Sequence, residues 1–269
     1  MKKKILITVK TYPTLSNKYQ ELVCTAGVDE EGNWVRIYPI PFRKLDYEDR
    51  YKKYSWIELD LVKRTSDIRP ESYQPAILDD IIILGNTIPT ENGYWTIRKK
   101  LALKNQYTNL AKLISDTKDN KVSLATFKPT QIIDFVIKEE KEREWDPNKL
   151  LAMKEQISLF AKYENPFKVV KKLPYKYYYK FIDDNGTESQ MMIEDWELGQ
   201  LFWKCLKAHN GDEDKANADV KYKYFDYFAK TLDVYLFLGT TKQWHLVAPN
   251  PYVIIGVFRC KKDDRLTLF

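Results

Sequence analysis

The sequence predicts an α+β protein that consists of a small N-terminal β-barrel module, a helical bridge and a C-terminal α+β module. Short strand-like runs separated by turns fill the first third of the 269 residues, and leucines at helical spacing follow them. A hairpin, two helices and two closing strands make up the remainder. With 44% hydrophobic residues the chain can fill a substantial core, and we place the module boundary between residues 1–145 and 146–269.

The first third of the chain reads as β-structure because its apolar residues are β-branched or alternate with polar ones. An acidic turn, Asp29-Glu30-Glu31-Gly32, separates the second run from the third. Five such runs at short intervals are typical of a small barrel or sandwich. The predicted strands are Ile5–Val9, Leu22–Val28, Asn33–Tyr38, Trp56–Val62 and Ile77–Leu84.

The middle and last parts of the chain carry helix signals. Leucines at helical spacing predict a helix over Thr96–Ser115, and Asp146-Pro147 is a good start for a second helix that ends near Tyr163. Asp184-Asn185-Gly186 is a strong hairpin turn. The other predicted elements are a strand at Gln131–Lys138, a hairpin over Lys168–Ile193, helices from Glu194 to Asn210 and over Asp212–Tyr224, and strands at Val234–Leu238 and Tyr252–Phe258.

Composition narrows the function classes. A net charge of +6 and a pI near 8.9 permit binding to a polyanion. Three widely spaced cysteines, Cys24, Cys205 and Cys260, read as buried free thiols in a reducing compartment. Only two histidines are present, so we predict no metal site and no cofactor. No apolar run reaches membrane-spanning length, and we expect a cytoplasmic protein.

An aromatic–arginine stripe on the third predicted strand is the first candidate site. Trp34, Arg36 and Tyr38 recur at period two and therefore share one strand face. Such a face can stack bases and hold a phosphate backbone. An ordinary solvated face with Trp34 in the core is an equally weighted alternative. We group Lys10, Tyr12 and Arg43 with this stripe, and we expect all of them to line one accessible groove.

Two loops are further candidates. Residues 64–72 contain Arg64, Arg69, Asp67 and Glu71, so the arginines would bind phosphate and the carboxylates would be candidate general bases. The alternative is a salt-bridged loop that only fixes its own shape. Residues 239–245 provide Lys242 as a phosphate contact and His245 as a candidate acid–base group, whereas the phosphate-loop spacing is absent.

The C-terminal residues Arg265-Leu266-Thr267-Leu268-Phe269 resemble the short peptide, Gln-Leu-Ser/Asp-Leu-Phe in form, by which bacterial DNA-processing proteins bind the sliding clamp. Leu266, Leu268 and Phe269 match its apolar anchors, and Arg265 stands where Gln is usual. The resemblance implies recruitment to the clamp, and a short apolar tail that packs against the core is the alternative.

The stretch Cys24-Thr25-Ala26-Gly27, followed by Gly32-Asn33-Trp34-Val35-Arg36 and Pro39, resembles the opening of uncharacterised bacterial proteins described as having dual OB-type barrels. That family implies OB-like barrels and nucleic acid contact. We therefore predict a bacterial nucleic-acid-binding protein, with DNA favoured, in genome maintenance or phage defence. The alternatives are an enzyme acting on nucleic acid, such as a glycosylase for modified bases or a nuclease, and an adaptor recruited by the clamp.

Overall fold

The computed structural model describes residues 1–15, 21–40, 51–77, 82–148, 150–151 and 170–262. Its first half contains strands β1 (Lys2–Lys10), β2 (Thr14–Leu15), β3 (Glu21–Asp29), β4 (Trp34–Ile40), β5 (Trp56–Lys63), β6 (Ser72–Pro75) and β7 (Ile82–Leu84). Helix α1 (Thr96–Ala102), strand β8 (Gln106–Tyr107) and helix α2 (Leu110–Lys118) follow.

Five strands of the first half close into a barrel. The order is β1-β3-β4-β6-β5, and β5 pairs again with β1. All pairs are antiparallel except β4 with β6. Numbered one to five along the chain, these strands run in the order 1-2-3-5-4-1, which is the strand order of an OB-fold. The predicted N-terminal OB-like barrel is confirmed.

Strand periodicity explains the interior of this barrel. Alternate residues of each strand point inward, and they are the β-branched and leucine positions of the sequence. The strands fill the interior with Ile5, Ile7, Val35, Ile37, Ile40, Ile57, Leu59 and Leu61, and Tyr51 joins them from the segment before β5. The Asp29 carboxylate stabilises the turn that follows β3, because it accepts hydrogen bonds from the backbone N–H groups of Glu31 and Asn33.

The predicted single helix over Thr96–Ser115 is wrong, because α1 ends at Ala102 and α2 begins at Leu110. Asn109 caps α2 by accepting a hydrogen bond from the backbone N–H of Lys112. Between the helices, β8 pairs with a strand that the sequence analysis missed. The strand predicted at Ile77–Leu84 covers only Ile82–Leu84 among the residues described, and β6 was also missed.

The second half contains β9 (Leu124–Phe127), β10 (Gln131–Glu139), β11 (Tyr175–Ile182) and β12 (Glu188–Met192). Helices α3 (Trp196–Ala208) and α4 (Glu213–Lys221), a π-helical segment (Tyr222–Ala229) and strands β13 (Asp233–Thr240) and β14 (Tyr252–Cys260) complete it. The predicted hairpin, both late helices and both closing strands are present. Most of the helix predicted to begin at Asp146 lies outside the described residues.

The second half repeats the strand order of the first. Strand β9 pairs with β13, and β10, which follows it after three residues, pairs with β11. Strand β11 pairs with β12, and the next residue, Ile193, forms a parallel bridge with Ile254 of β14. If β9 and β10 are taken as one bent strand, the order is again 1-2-3-5-4-1. The helices between the third and fourth strands pack Phe202 and Tyr224 against the barrel core.

The outer face of the first barrel packs against β13 and β14. Ala26 and Val28 of β3 share a buried cluster with Phe237 and Phe258 of the second half. The ring of Trp34 meets that of Phe237 edge to face at 5.2 Å between centroids. The two barrels therefore share a continuous apolar junction, which we call the barrel junction.

We predict that Phe258→Ala destabilises both halves together. Phe258 is fully buried and contacts the rings of Tyr54, Trp95 and Phe237, so its removal leaves a cavity that costs about 3–5 kcal/mol. Urea denaturation followed by circular dichroism should give one transition at a lower midpoint. Tyr222→Ala, at a tyrosine that is 65% exposed, is the control. Two separate transitions in the wild-type protein would show that the junction does not couple the barrels.

Candidate nucleic-acid interface

Arg36 lies in the barrel junction and is only 2% exposed. From the outer face of β4, its guanidinium donates to the hydroxyl of Ser123 at 2.7 Å and to the carbonyl oxygens of Ser123 and Thr240 at 3.2 and 3.5 Å. The expectation that Arg36 lines an accessible groove is thereby corrected. The stripe faces outward from its own barrel, but the second half of the chain covers it.

Arg69 converges on the same place from the loop between β5 and β6. Its guanidinium donates to both carboxylate oxygens of Asp67, at 2.9 and 2.7 Å, and to the carbonyl oxygen of Thr240. Burial opposes ionisation of Asp67, but the hydrogen bonds and charge of Arg69 outweigh it and hold the pKa of that carboxyl well below its usual value. Arg36 and Arg69 thus meet at one carbonyl, inside the protein.

Glu71 joins the same loop to the start of β9. Its carboxylate accepts hydrogen bonds from the backbone N–H groups of Ser123 and Leu124, at 2.8 and 3.3 Å, and from the Ser123 hydroxyl. The backbone carbonyl of Glu71 also accepts a hydrogen bond from the N–H of Arg36. In this arrangement the Glu71 carboxylate fixes the barrel junction.

His245 anchors the loop after β13 and is 1% exposed. One ring nitrogen lies 3.0 Å from the hydroxyl of Thr240 and the other 2.8 Å from the side-chain oxygen of Asn120. Burial, followed by the charges of Arg69 and Arg36, lowers the pKa of His245 to about 4, so its ring is neutral at pH 7. Asp67, Glu71 and His245 therefore all have protein partners, and a catalytic role for them stays a prediction.

The remaining predicted phosphate and stacking residues are dispersed. The Lys10 ammonium donates to the carbonyl of Tyr51 at 3.3 Å, and burial together with the charge of Lys53 lowers its pKa to about 8. The Arg64 guanidinium stacks 4.7 Å from the ring centroid of Tyr38. These groups are buried or half-buried among neighbours of the first barrel.

Lys242 is exposed in the loop after β13, beside Trp244, which is 48% exposed. Tyr12 contacts the second half of the chain, where its hydroxyl donates to the carbonyl of Lys171 at 2.8 Å. Arg43 and the clamp-like peptide residues Leu266, Leu268 and Phe269 lie outside the described residues.

Among the described residues, the outward side chains of β11 in the second barrel are partly exposed, whereas the outer face of the first barrel is covered. Tyr177, Tyr179 and Phe181 of β11 point into the core, so the alternate residues Lys176, Tyr178 and Lys180 point outward. The strands on either side align with them: Lys138, Val136 and Asp134 of β10 on one side, and Met192 and Gln190 of β12 on the other. We call this set of outward residues the β11 platform.

Tyr178 stands at the centre of the β11 platform. Val136 and Met192 are its cross-strand neighbours, and the Lys138 ammonium lies 4.9 Å from its ring centroid. Lys176 and Lys180 flank it on the same strand. A half-buried aromatic ring between aliphatic neighbours and three lysines can stack a planar group and hold an anion beside it.

Two of these lysines form ion pairs with carboxylates at the edge of the β11 platform. Lys176 forms an ion pair with Glu140, and Lys180 with Glu188. The hydrogen bond from Lys176 holds the pKa of Glu140 below its usual value. The sequence analysis missed the platform, although the alternation in Tyr175–Ile182 contains the signal: a buried aromatic at every second position assigns the intervening lysines and tyrosine to the opposite face.

Within the described ranges, no cluster of three histidine, cysteine, aspartate or glutamate side chains is arranged to hold a metal ion. None of the helices described is long and apolar enough to cross a membrane.

Comparison with known proteins gives two family matches that meet at residue 104. The model named Domain of unknown function (DUF8757) matches residues 104–269, which is more than half of the chain. The chain belongs to the DUF8757 family. The model named Domain of unknown function (DUF8758) matches residues 1–104. The boundary predicted at 145/146 stays a prediction.

No curated protein matches the chain. Among solved structures, a murine DNA-binding protein bound to double-stranded DNA is similar at a TM-score of 0.33 and 8% identity, over 98% of this chain and 97% of that one.

We predict that the neutral His245 makes folding sensitive to mild acid. Its pKa is about 4 in the folded protein against 6.5 for an unperturbed histidine, so between these values the unfolded chain binds more protons. This group alone should lower the free energy of unfolding by at most about 1.4 kcal/mol per pH unit as the pH falls through that window. Urea midpoints at pH 6.5, 5.5 and 4.5 measure it.

The control for this prediction is the second histidine. His209→Gln should retain the wild-type pH slope, because the partly exposed His209 ring contacts Asp219 at the protein surface, where such pairs contribute roughly 0–1 kcal/mol to stability. His245→Gln should have a shallower slope than wild type. Parallel slopes for wild type and His245→Gln would contradict the assignment of a neutral, buried ring.

Proposed function

We propose that the protein binds single-stranded nucleic acid across the β11 platform. The observation that carries the proposal is the position of Tyr178, at the centre of an outward face with Lys138, Lys176 and Lys180 around it. Strands two and three of an OB-fold form the face that commonly receives oligonucleotides, and β11 and β12 are those strands in the second barrel.

The platform is better suited to single-stranded than to double-stranded nucleic acid. Unpaired bases expose rings that stack on an aromatic side chain, which contributes about 1–3 kcal/mol per base. The ion pair of Lys180 with Glu188 is exposed, and such pairs contribute roughly 0–1 kcal/mol, whereas Glu140 in the pair with Lys176 is only 18% exposed. A phosphate can therefore replace Glu188 at Lys180 at small cost.

The equivalent face of the first barrel is buried, which leaves the face of the second barrel as the candidate binding surface. Its second and third strands, β3 and β4, turn Val28, Trp34 and Arg36 into the barrel junction. Arg36 and Arg69 would then act on binding indirectly, because they hold the two barrels in one orientation. We further propose that the protein prefers DNA and acts in bacterial genome maintenance or phage defence. The clamp-like C-terminal peptide is the feature that supports this part of the proposal.

Removal of the central ring tests the platform. Tyr178→Ala should weaken binding of a fluorescently labelled oligothymidylate by about 5- to 100-fold, which corresponds to the loss of one stacked base. Fluorescence anisotropy measures the dissociation constant. Tyr222→Ala, on the π-helical segment, removes an exposed tyrosine and should bind as wild type does. Equal affinities for Tyr178→Ala and wild type would refute the platform.

The three platform lysines should set part of the salt dependence. In Lys138→Gln/Lys176→Gln/Lys180→Gln, the slope of log K against log salt should fall by about 2, since each phosphate contact to a single strand contributes about 0.7. Lys2→Gln/Lys3→Gln/Lys4→Gln on β1 removes the same charge from the first barrel. If both triple variants lose the same slope, the effect reflects net charge and the platform proposal fails.

A further inference from the structure

A cleft at the end of β11 is separate from the β11 platform. It has a volume of about 520 Å³, within the range of small-molecule sites. Two tryptophans, Trp145 and Trp203, contribute its large apolar surfaces. The wall also includes Arg143, Glu144, Lys171, Lys172, Pro174 and Glu213. A second cavity shares Lys171 and Trp203 with it.

Both tryptophan rings are held by their indole N–H groups. Trp203 donates to the hydroxyl of Tyr12 at 2.8 Å, and that hydroxyl donates in turn to the carbonyl of Lys171 at 2.8 Å. Trp145 donates to the carbonyl of Val170 at 2.7 Å. Rings fixed in this way lose little freedom when a planar ligand stacks on them, and such preorganisation favours affinity.

The position of Tyr12 links this cleft to the first barrel. Its ring lies on α3 at Gly199, where a Cβ atom would approach the Tyr12 ring to 2.2 Å. Only glycine permits this approach without displacement of the ring. Tyr12 is therefore a positioning residue that orients Trp203 from the other half of the chain.

The cations of the cleft wall, Arg143, Lys171 and Lys172, outnumber its carboxylates, Glu144 and Glu213. The Lys171 and Lys172 ammonium groups lie 5.3 and 6.0 Å from the ring centroids of Trp203 and Trp145, and the Lys172 ammonium also donates to the backbone carbonyls of Glu142 and Glu144. Of the acidic wall residues, Glu213 is already bound by the Arg143 guanidinium and by the Tyr175 hydroxyl. The hydrogen bond from Arg143 holds the pKa of Glu213 below its usual value, so Glu213 remains a charged partner for that arginine.

We propose that this cleft binds a single nucleotide, with the base against Trp145 and Trp203 and the phosphate at Lys171 and Lys172. Two fixed aromatic rings, each with a lysine ammonium over it, match a flat ring that carries a negatively charged group. This inference goes beyond the platform, because its ligand is one nucleotide unit and not an extended strand.

Titration with adenosine 5′-monophosphate, followed by isothermal calorimetry on the full chain, tests the cleft. Saturable binding at one site is expected. Trp145→Ala should weaken it about tenfold or more, and Trp244→Ala, which removes an exposed tryptophan from the loop after β13, should leave it unchanged. Absence of saturable binding up to millimolar nucleotide, or an equal loss in Trp244→Ala, would overturn the proposal.

A second pair of variants tests the phosphate contact without a change to the packed rings. Lys171→Gln/Lys172→Gln should lower the affinity for the monophosphate to that for adenosine, whereas Lys100→Gln/Lys121→Gln, at exposed lysines elsewhere, should keep the difference. If the first pair binds the monophosphate as wild type does, the assigned phosphate site is wrong. Tyr178→Ala should leave nucleotide binding intact, so failure of the cleft and failure of the platform are distinguishable.

Discussion

The barrel junction is the constraint on which the rest of the structure depends. Arg36 and Arg69 both direct their guanidinium groups at the carbonyl of Thr240, and both are nearly inaccessible to water. A buried charge is tolerable only with partners, and removal of one partner typically costs 3–5 kcal/mol. The apolar contacts around Phe237 tolerate small shifts more readily than these hydrogen bonds do. The polar network therefore fixes the relative orientation of the two barrels, whereas the rings supply the burial.

The two barrels share one strand order but differ in their outer faces. The outward residues of the second strand determine whether that face is buried or exposed. On the second strand of the first barrel the outward positions include Ala26 and Val28, which are apolar and become buried. The corresponding strand of the second barrel turns Lys176, Tyr178 and Lys180 outward. Apolar outward residues gain from contact with another surface, and lysines remain solvated. The platform is open for the same physical reason that the junction is closed.

Local signals made much of the fold predictable. Period-two runs located the barrel strands, and Asp195, which caps α3 by accepting from the N–H of Glu197, marked that helix start. The burial of Arg36 was not predictable, because its partners Ser123 and Thr240 lie 87 and 204 residues away. Helical spacing alone also predicted α1 and α2 as one helix. Strand β8 separates them, and its parallel pairing with β9 is a tertiary contact that local spacing does not reveal. The platform was within reach of the sequence, because the alternation of β11 already separates its two faces.

The geometry of β11 connects the two binding surfaces. Lys176 belongs to the platform, and Lys172 lines the cleft four residues earlier, so at ~3.3 Å per residue the chain separates them by no more than about 13 Å. Glu140 pairs with Lys176, and its backbone N–H bonds to the carbonyl of Pro174 in the cleft wall. In our two proposals, an oligonucleotide bound across the platform therefore lies close to the cleft. We propose that the platform binds backbone and stacked bases in series and that the fixed tryptophans of the cleft bind one nucleotide. The two proposals thus assign contact with a nucleic-acid strand and binding of a single nucleotide to neighbouring but separate groups of side chains.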